Sequence, residues 1–163
     1  MQIFLTGGTI DKHYNELNGQ LTFDDTHIES LLAQSRLTVP HHVQGLMLKD
    51  SLEMTDADRD VIAQACVAST DDQIIITHGT DTMVESAQVI ASALQAAGKA
   101  KAVVLFGAML PYELVSSDAL FNFGAAVSAA QLVKPGVYLA MNGQVFDHDD
   151  VRKNKGQGRF ESL

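Results

Sequence analysis

Short apolar runs and amphipathic stretches alternate along this chain from its first residues. Gln2–Thr6 is an apolar run that stops at Gly7-Gly8, the pattern of a buried strand entering a tight loop. Asp24–Gln34 places Ile28, Leu31 and Leu32 at helical spacing behind Asp and Thr residues that can start a helix. Val43–Leu48 predicts a second strand. Thr55–Ser69 opens with Thr55 and Asp58 in capping-box spacing and sets Val61, Ile62, Ala65 and Cys66 on one face, which is expected to be core.

Ile74-Ile75-Ile76 is continuously β-branched, as a strand covered on both faces must be. It ends at Thr77-His78-Gly79, and a helix is predicted from Asp81 to Ala97, closed by Gly98 as a left-handed C-cap. Ala102–Phe106 predicts a fourth strand, Asp118–Leu132 another helix, and Val137–Met141 a fifth strand. Asn142-Gly143 is a hairpin signal, so Gln144–Phe146 is expected to fold back antiparallel at the sheet edge. This alternation predicts an α/β fold with three layers, an open and mostly parallel sheet of Rossmann or flavodoxin type with helices on both faces. Residues 1–163 read as a single domain, and the polar stretch from Asp147 to Leu163 is expected to be a mobile tail.

Composition narrows the function classes. A length of 163 residues fits one domain, so a two-domain enzyme is excluded unless a second copy supplies the missing part. The chain is 46% hydrophobic and 19% charged, which is globular. Its formal charge of −9 argues against nucleic acid or an anionic membrane and favours a small-molecule partner. A single cysteine, Cys66, fits a reducing compartment. Met1–Ile10 has no basic segment and no long apolar run, so neither a signal peptide nor a membrane helix is expected, and the location is read as cytoplasmic.

In such a sheet the ligand lies beyond the carboxyl ends of the strands. Thr6-Gly7-Gly8-Thr9 and Thr77-His78-Gly79-Thr80-Asp81-Thr82 stand there, each placing hydroxyls beside glycines whose backbone can approach a substrate. The second loop also opens a helix, whose amides can hold an oxyanion. Gly-Gly also serves as a plain turn, and Thr or Asp before a helix as an N-cap. A threonine nucleophile needs a base, and Lys153 could act as one if its surroundings lower its proton affinity. Asp81 could orient Lys153 or bind an ammonium, and Tyr14 could relay a proton from a loop. His78 reads as packed against its own turn, His41-His42 as surface, and Ser116-Ser117-Asp118 as a helix cap. Asp147-His148-Asp149-Asp150 is a poor metal site because adjacent residues on an extended segment rarely converge. No serine-hydrolase elbow, P-loop or dinucleotide fingerprint is present.

Together the two loops resemble the bacterial-type L-asparaginase family. Asp50-Ser51-Leu52-Glu53-Met54-Thr55, Gly107-Ala108-Met109-Leu110-Pro111 and Asp150-Val151-Arg152-Lys153 are similar to further blocks of that family, in its order. The resemblance implies hydrolysis of the side-chain amide of L-asparagine to L-aspartate and ammonia through an acyl-enzyme, with no metal or organic cofactor. It implies that Thr9 attacks with Tyr14 assisting, while Thr80, Asp81 and Lys153 form a second cluster. Backbone amides of Thr9 and Thr80 would hold the oxyanion, with Gly8 and Gly79 beside them. Ser51 would bind the α-carboxylate, Asp81 the α-ammonium, and ammonia would leave near Ala108.

The chain departs from most members in lacking a second domain, so it resembles the short members built from the N-terminal domain alone. Leu52 replaces a polar residue, His148-Asp149 replaces a Gly-Arg pair, and Tyr14 stands nearer Thr9 than is usual. An interface lost with the second domain implies a homodimer or homotetramer. The alternatives are an asparaginase-like module that binds a small amide or amino acid with little turnover, and a phosphate-ligand domain of flavodoxin type.

Overall fold

Continuous apolar strands are stable only where both faces of a sheet are covered, and the chain builds such a sheet. A computed structural model describes residues 1–163. In chain order it begins with β1 (Gln2–Gly7), β2 (His13–Asn15), β3 (Gln20–Thr22), α1 (Ile28–Ser35) and β4 (His42–Lys49). Then come α2 (Asp56–Ala68), β5 (Gln73–Thr77), α3 (Met83–Ala96), β6 (Ala102–Phe106), α4 (Ala119–Leu132) and β7 (Gly136–Met141). The chain closes with β8 (Gln144–Asp147), β9 (Arg152–Asn154) and β10 (Arg159–Glu161).

Six strands form one sheet in the order β4-β1-β5-β6-β7-β8, with β8 alone antiparallel. This is the α/β fold expected. Strand alternation divides the core into two layers. Phe4, Ile74, Ile76, Val103 and Leu105 face Ile62, Cys66, Ala87 and Ile90 of α2 and α3. Ile3, Leu5, Ile75, Val104 and Phe106 face Ile28 and Leu31 of α1 and Phe123 and Ala126 of α4.

Helix ends follow local chemistry. Thr55 and Asp58 make the reciprocal capping box expected of them. Gly98 adopts φ +61°, the left-handed position after α3. α1 starts at Ile28 rather than Asp24, because Asp25 and Thr26 spend their side chains on the turn before it. α3 starts at Met83 rather than Asp81. On α2 the buried residues are Ile62, Ala63 and Cys66, whereas Val61 is half exposed and Ala65 partly buried. The core stripe is thus rotated from the expected one toward Ala63. Cys66 is sealed in this layer, and burial pushes its thiol up to about 12, which keeps it inert.

The expected mobile tail is a folded hairpin. β9 and β10 pair with Lys153 opposite Phe160, and Phe160 and Val151 are 1% and 3% exposed in the α2/α3 layer. The Asn142 side chain accepts from the Phe160 amide at 3.3 Å. Phe160→Ala should destabilise the protein by about 3–5 kcal/mol, as large-to-small changes in a core do. Urea denaturation checks this, and an unchanged midpoint would show that Phe160 does not anchor the hairpin.

Candidate active site

The sheet order places β1 beside β5, and the chain leaves these two strands toward opposite edges, which opens the crevice where such folds bind ligands. Their ends are locked together: the Thr6 hydroxyl donates to the Thr77 carbonyl at 2.5 Å, and the Thr6 amide donates to the Thr77 hydroxyl at 3.1 Å. Beyond them the two loops touch through glycine. A Cβ on Gly8, whose φ is +91°, would lie 2.4 Å from the Gly79 nitrogen. A Cβ on Gly79 would lie 2.5 Å from Ser51 Oγ. Ser51, 1% exposed, is itself held by the Thr82 hydroxyl, which donates to its carbonyl at 2.8 Å. That bond explains why Thr82, at the N-cap of α3, makes no capping bond.

Lys153 arrives at the same place from the opposite end of the chain. Its Nζ donates to Thr80 Oγ1 at 2.7 Å and to Asp81 Oδ1 at 2.9 Å. Thr80 is 5% exposed and the Lys153 side chain 10%, so their bond is shielded from water, while the Asp81 carboxylate, 34% exposed, keeps one side open to solvent. The Thr80 amide donates to no protein acceptor and stands free at the head of α3. A cavity of about 290 Å³ lined by Asp81, Val151 and Lys153 opens beside the cluster. A wider concavity of about 670 Å³ lies between α2 and α3 and touches none of Thr9, Thr80, Asp81 and Lys153.

The other sequence-predicted residues are distributed around this cluster. Gly8, Ser51 and Gly79 meet as described. Ala108, 1% exposed, follows Gly107, where a Cβ would lie 3.4 Å from Thr80 Cγ2 and 2.3 Å from the His78 carbonyl oxygen. Thr9 is partly buried and its hydroxyl makes no hydrogen bond. Tyr14 is not brought to the cluster: it lies on β2, 58% exposed, with its hydroxyl turned toward Gly19 of the same hairpin. β2 and β3 form that hairpin where a loop was expected. Sequence pattern does not single out the roles of Thr82 or Asn122. Asn122 donates to the Gly107 carbonyl at 3.0 Å and accepts from the Asn142 amide at 3.1 Å, joining α4 to the site loops and the β7 end. Both are single polar residues without a local pattern, so only tertiary contact reveals them. Asp118 precedes α4, yet its carboxylate accepts from the Met109 and Leu110 amides rather than capping the helix.

Charge is balanced across the loops. Lys12 is ion-paired with Asp50. Burial works against the Asp50 carboxylate, but the Lys12 and Leu52 hydrogen bonds, with Lys153 adding charge, hold it below its usual range.

His78, fully buried, stiffens the second loop. Its Nδ1 lies 2.7 Å from the Gly79 carbonyl and its Nε2 2.7 Å from Ser86 Oγ. A carbonyl only accepts, so Nδ1 carries the hydrogen and Nε2 accepts from Ser86. Burial pushes the imidazole down to about 4, against the pull of the Gly79 hydrogen bond. The unfolded chain takes up this proton near 6.5 and the folded chain near 4, so stability is complete above pH 6.5 and falls as pH drops toward 4. The loss should reach roughly 3 kcal/mol. Urea midpoints at neutral and mildly acid pH should diverge in the native protein and far less in His78→Gln; an equal drop in both would reject this role.

A family model for the asparaginase N-terminal domain matches residues 1–161. The chain is 34% identical to a probable periplasmic L-asparaginase of Haemophilus influenzae, over 93% of this chain and 45% of that protein. It is 36% identical over 87 residues to a glutamyl-tRNA(Gln) amidotransferase component of Methanococcus vannielii, covering 50% of this chain and 20% of that one. The crystal structure of a probable cytoplasmic L-asparaginase from Campylobacter jejuni superposes with a TM-score of 0.80 at 27% identity, over 99% of this chain and 52% of that one. The chain therefore spans about half the length, or less, of the relatives it matches. With the family model extending from the first residue to β10, the chain belongs to the asparaginase family, as a domain of its N-terminal type.

Proposed function

We propose that this domain is an amidohydrolase that converts L-asparagine to L-aspartate and ammonia through a threonine nucleophile. The observation that carries the reading is the Lys153 ammonium 2.7 Å from Thr80 Oγ1 and 2.9 Å from Asp81 Oδ1, a cation joined to a hydroxyl and a carboxylate at the crevice. In this reading Thr9 Oγ1 bonds to the amide carbon, and the carbonyl oxygen gains charge beside the Thr9 and Thr80 amides. Gly8 and Gly79 let that backbone come close. The Thr9 proton passes to the amide nitrogen, with Tyr14 assisting when the β2–β3 hairpin moves inward. The C–N bond then breaks, and ammonia leaves past Ala108.

Water next attacks the acyl ester, giving its proton through the Thr80–Lys153 pair to the departing Thr9 oxygen. Asparagine and water are thereby converted to aspartate and ammonia with all atoms balanced. Ser51 binds the α-carboxylate and Asp81 the α-ammonium. No metal takes part in these steps.

The reading extends to location and assembly. One cysteine favours the cytoplasm, and relatives are described as periplasmic in one case and cytoplasmic in another. No helix is long and apolar enough to cross a membrane. Val115, at full exposure, and Phe121, at 64%, favour a homodimer or homotetramer. Gel filtration at micromolar concentration should give a species larger than one chain; a monomer alone would refute self-association.

Ammonia release from L-asparagine and L-glutamine tests the activity. The native protein should turn over asparagine, and Thr9→Ala and Lys153→Ala should each lose about a thousandfold or more with circular dichroism unchanged. Tyr14→Phe should lose about a hundredfold if the hairpin delivers its hydroxyl. Full activity in Lys153→Ala would discard the assignment. Calorimetric binding of asparagine without ammonia release would favour instead a module that senses a small amide or amino acid.

A further inference from the structure

A second cluster of chemistry-bearing side chains lies outside the Thr80–Asp81–Lys153 group. One ring nitrogen of His13, one of His27 and one carboxylate oxygen of Glu113 lie within 4.8 Å of one another. They come from three separate segments: β2, the residue before α1, and the loop leading to α4. The two imidazole centroids are 4.0 Å apart, and His13 Nδ1 is 3.5 Å from Glu113 Oε2.

The ring nitrogens differ in their partners. His13 Nε2 faces the Asp25 carbonyl at 3.3 Å. A carbonyl only accepts, so Nε2 carries a hydrogen, and Nδ1 is the nitrogen that faces Glu113. A histidine whose outer N–H is fixed by a carbonyl is the arrangement metal-ligating imidazoles use. His27 Nε2 is buried without any hydrogen-bond partner, and so are Asp11 Oδ2 and Thr22 Oγ1. Thr22 pairs with His13 in the β2–β3 ladder, and Asp11 holds the His27 amide through its other oxygen at 3.0 Å. Three orphan polar atoms therefore belong to residues tied to this one cluster.

We propose that His13, His27 and Glu113 bind one divalent transition-metal ion of the zinc class, with solvent completing the coordination. Two imidazoles and one carboxylate are a donor set for such an ion and not for calcium or magnesium, which prefer oxygen alone. Tetrahedral bonds of about 2.0–2.1 Å put ligand atoms about 3.4 Å apart, so the His13–Glu113 pair at 3.5 Å already fits and the remaining distances, all within 4.8 Å, need to close by at most about 1.4 Å. The bound ion pins the β2–β3 hairpin to the start of α1 and to the loop before α4. Glu113 already accepts from the Tyr14 amide at 2.5 Å, so the ion holds the strand that carries Tyr14 in its outward position, and the inward movement of the hydrolase reading requires the ion to leave. The site does not depend on whether the domain hydrolyses an amide.

One other group offers ligand atoms equally close, Asp147, His148 and Asp149, although convergence was not expected of adjacent residues. Its one imidazole also has a buried nitrogen without a partner, Nδ1 of His148, but it offers a single imidazole where the first cluster offers two, and it serves as the control. Chelator-treated protein titrated with Zn²⁺ by calorimetry should bind one ion per chain, and Co²⁺ in its place should give the intense visible bands of a tetrahedral site. His13→Gln, His27→Gln and Glu113→Gln should each weaken binding at least about tenfold, while His148→Asn leaves it unchanged. Zn²⁺ should also raise the melting temperature of the native protein and not that of folded His13→Gln. Absence of stoichiometric Zn²⁺ binding, native affinity in all three glutamine variants, or loss of binding in His148→Asn would overturn the proposal.

Discussion

The contact between Gly8 and Gly79 is the constraint on which the rest of the site depends. β1 and β5 are hydrogen-bonded neighbours, so their loops leave the sheet roughly 4.8 Å apart and cannot both carry side chains inward. A single methyl at Gly8 would collide with the Gly79 backbone at 2.4–2.6 Å, and one at Gly79 with Ser51 at 2.5–2.6 Å. Three loops, after β1, β4 and β5, thus interlock through contacts of glycine with neighbouring backbone and with the Ser51 side chain, an approach that only glycine permits. Because Thr9 follows Gly8 and Thr80 follows Gly79, the same contact sets the backbones leading to the two threonines side by side. The pairing of Thr6 with Thr77 just below fixes the register in which this happens.

Lysine is a costly residue to hold still, since ordering its long side chain loses rotamer freedom. Here the cost is met far from the ammonium. Lys153 sits opposite Phe160 on a three-residue hairpin that could not be stable in isolation. Phe160 and Val151 bury themselves in the α2/α3 layer, and Asn142 receives the Phe160 amide. Asn142 in turn donates to Asn122, which donates to Gly107 beside Thr80. A core aromatic and two asparagines therefore set the position of a cation on the opposite face of the crevice.

What could be read from the sequence follows from how local each cause is. β5 and β6 were legible because Ile74–Ile76 and Val103–Leu105 are apolar without a break, and α2 because Thr55 and Asp58 form a motif four residues long. The loops of Thr9 and Thr80 were legible because glycine and hydroxyl residues stand at predicted strand ends. The hairpin of Lys153 was not, because two buried residues, Val151 and Phe160, lie among polar neighbours with no period to betray them. β2 and β3 failed for the same reason, being three residues each and partly exposed. Val61 misled because helical spacing fixes a stripe only to within a residue, and small Ala63 takes the core position that its size alone would not suggest. His13, His27 and Glu113 converge from positions far apart in the chain, a relation no local pattern contains.

The site is consequently built in two tiers of different stability. Thr80, Ser51 and His78 are buried within loops whose backbone has no room to move, so their geometry is as firm as the core. The β2–β3 hairpin that follows the first loop is built on exposed and partly exposed residues, and segments with few buried contacts open at low free energy. It is tied down at its base by the Lys12–Asp50 pair and at its edge by Glu113, while Tyr14 and Leu17 beyond these ties are 58% and 92% exposed. Rigid groups can present fixed charge and dipoles without reorganising, whereas a group that must admit a ligand has to yield. The division between the two tiers falls at Lys12, where the buried loop becomes the exposed hairpin, and it places every group that needs fixed geometry on the buried side.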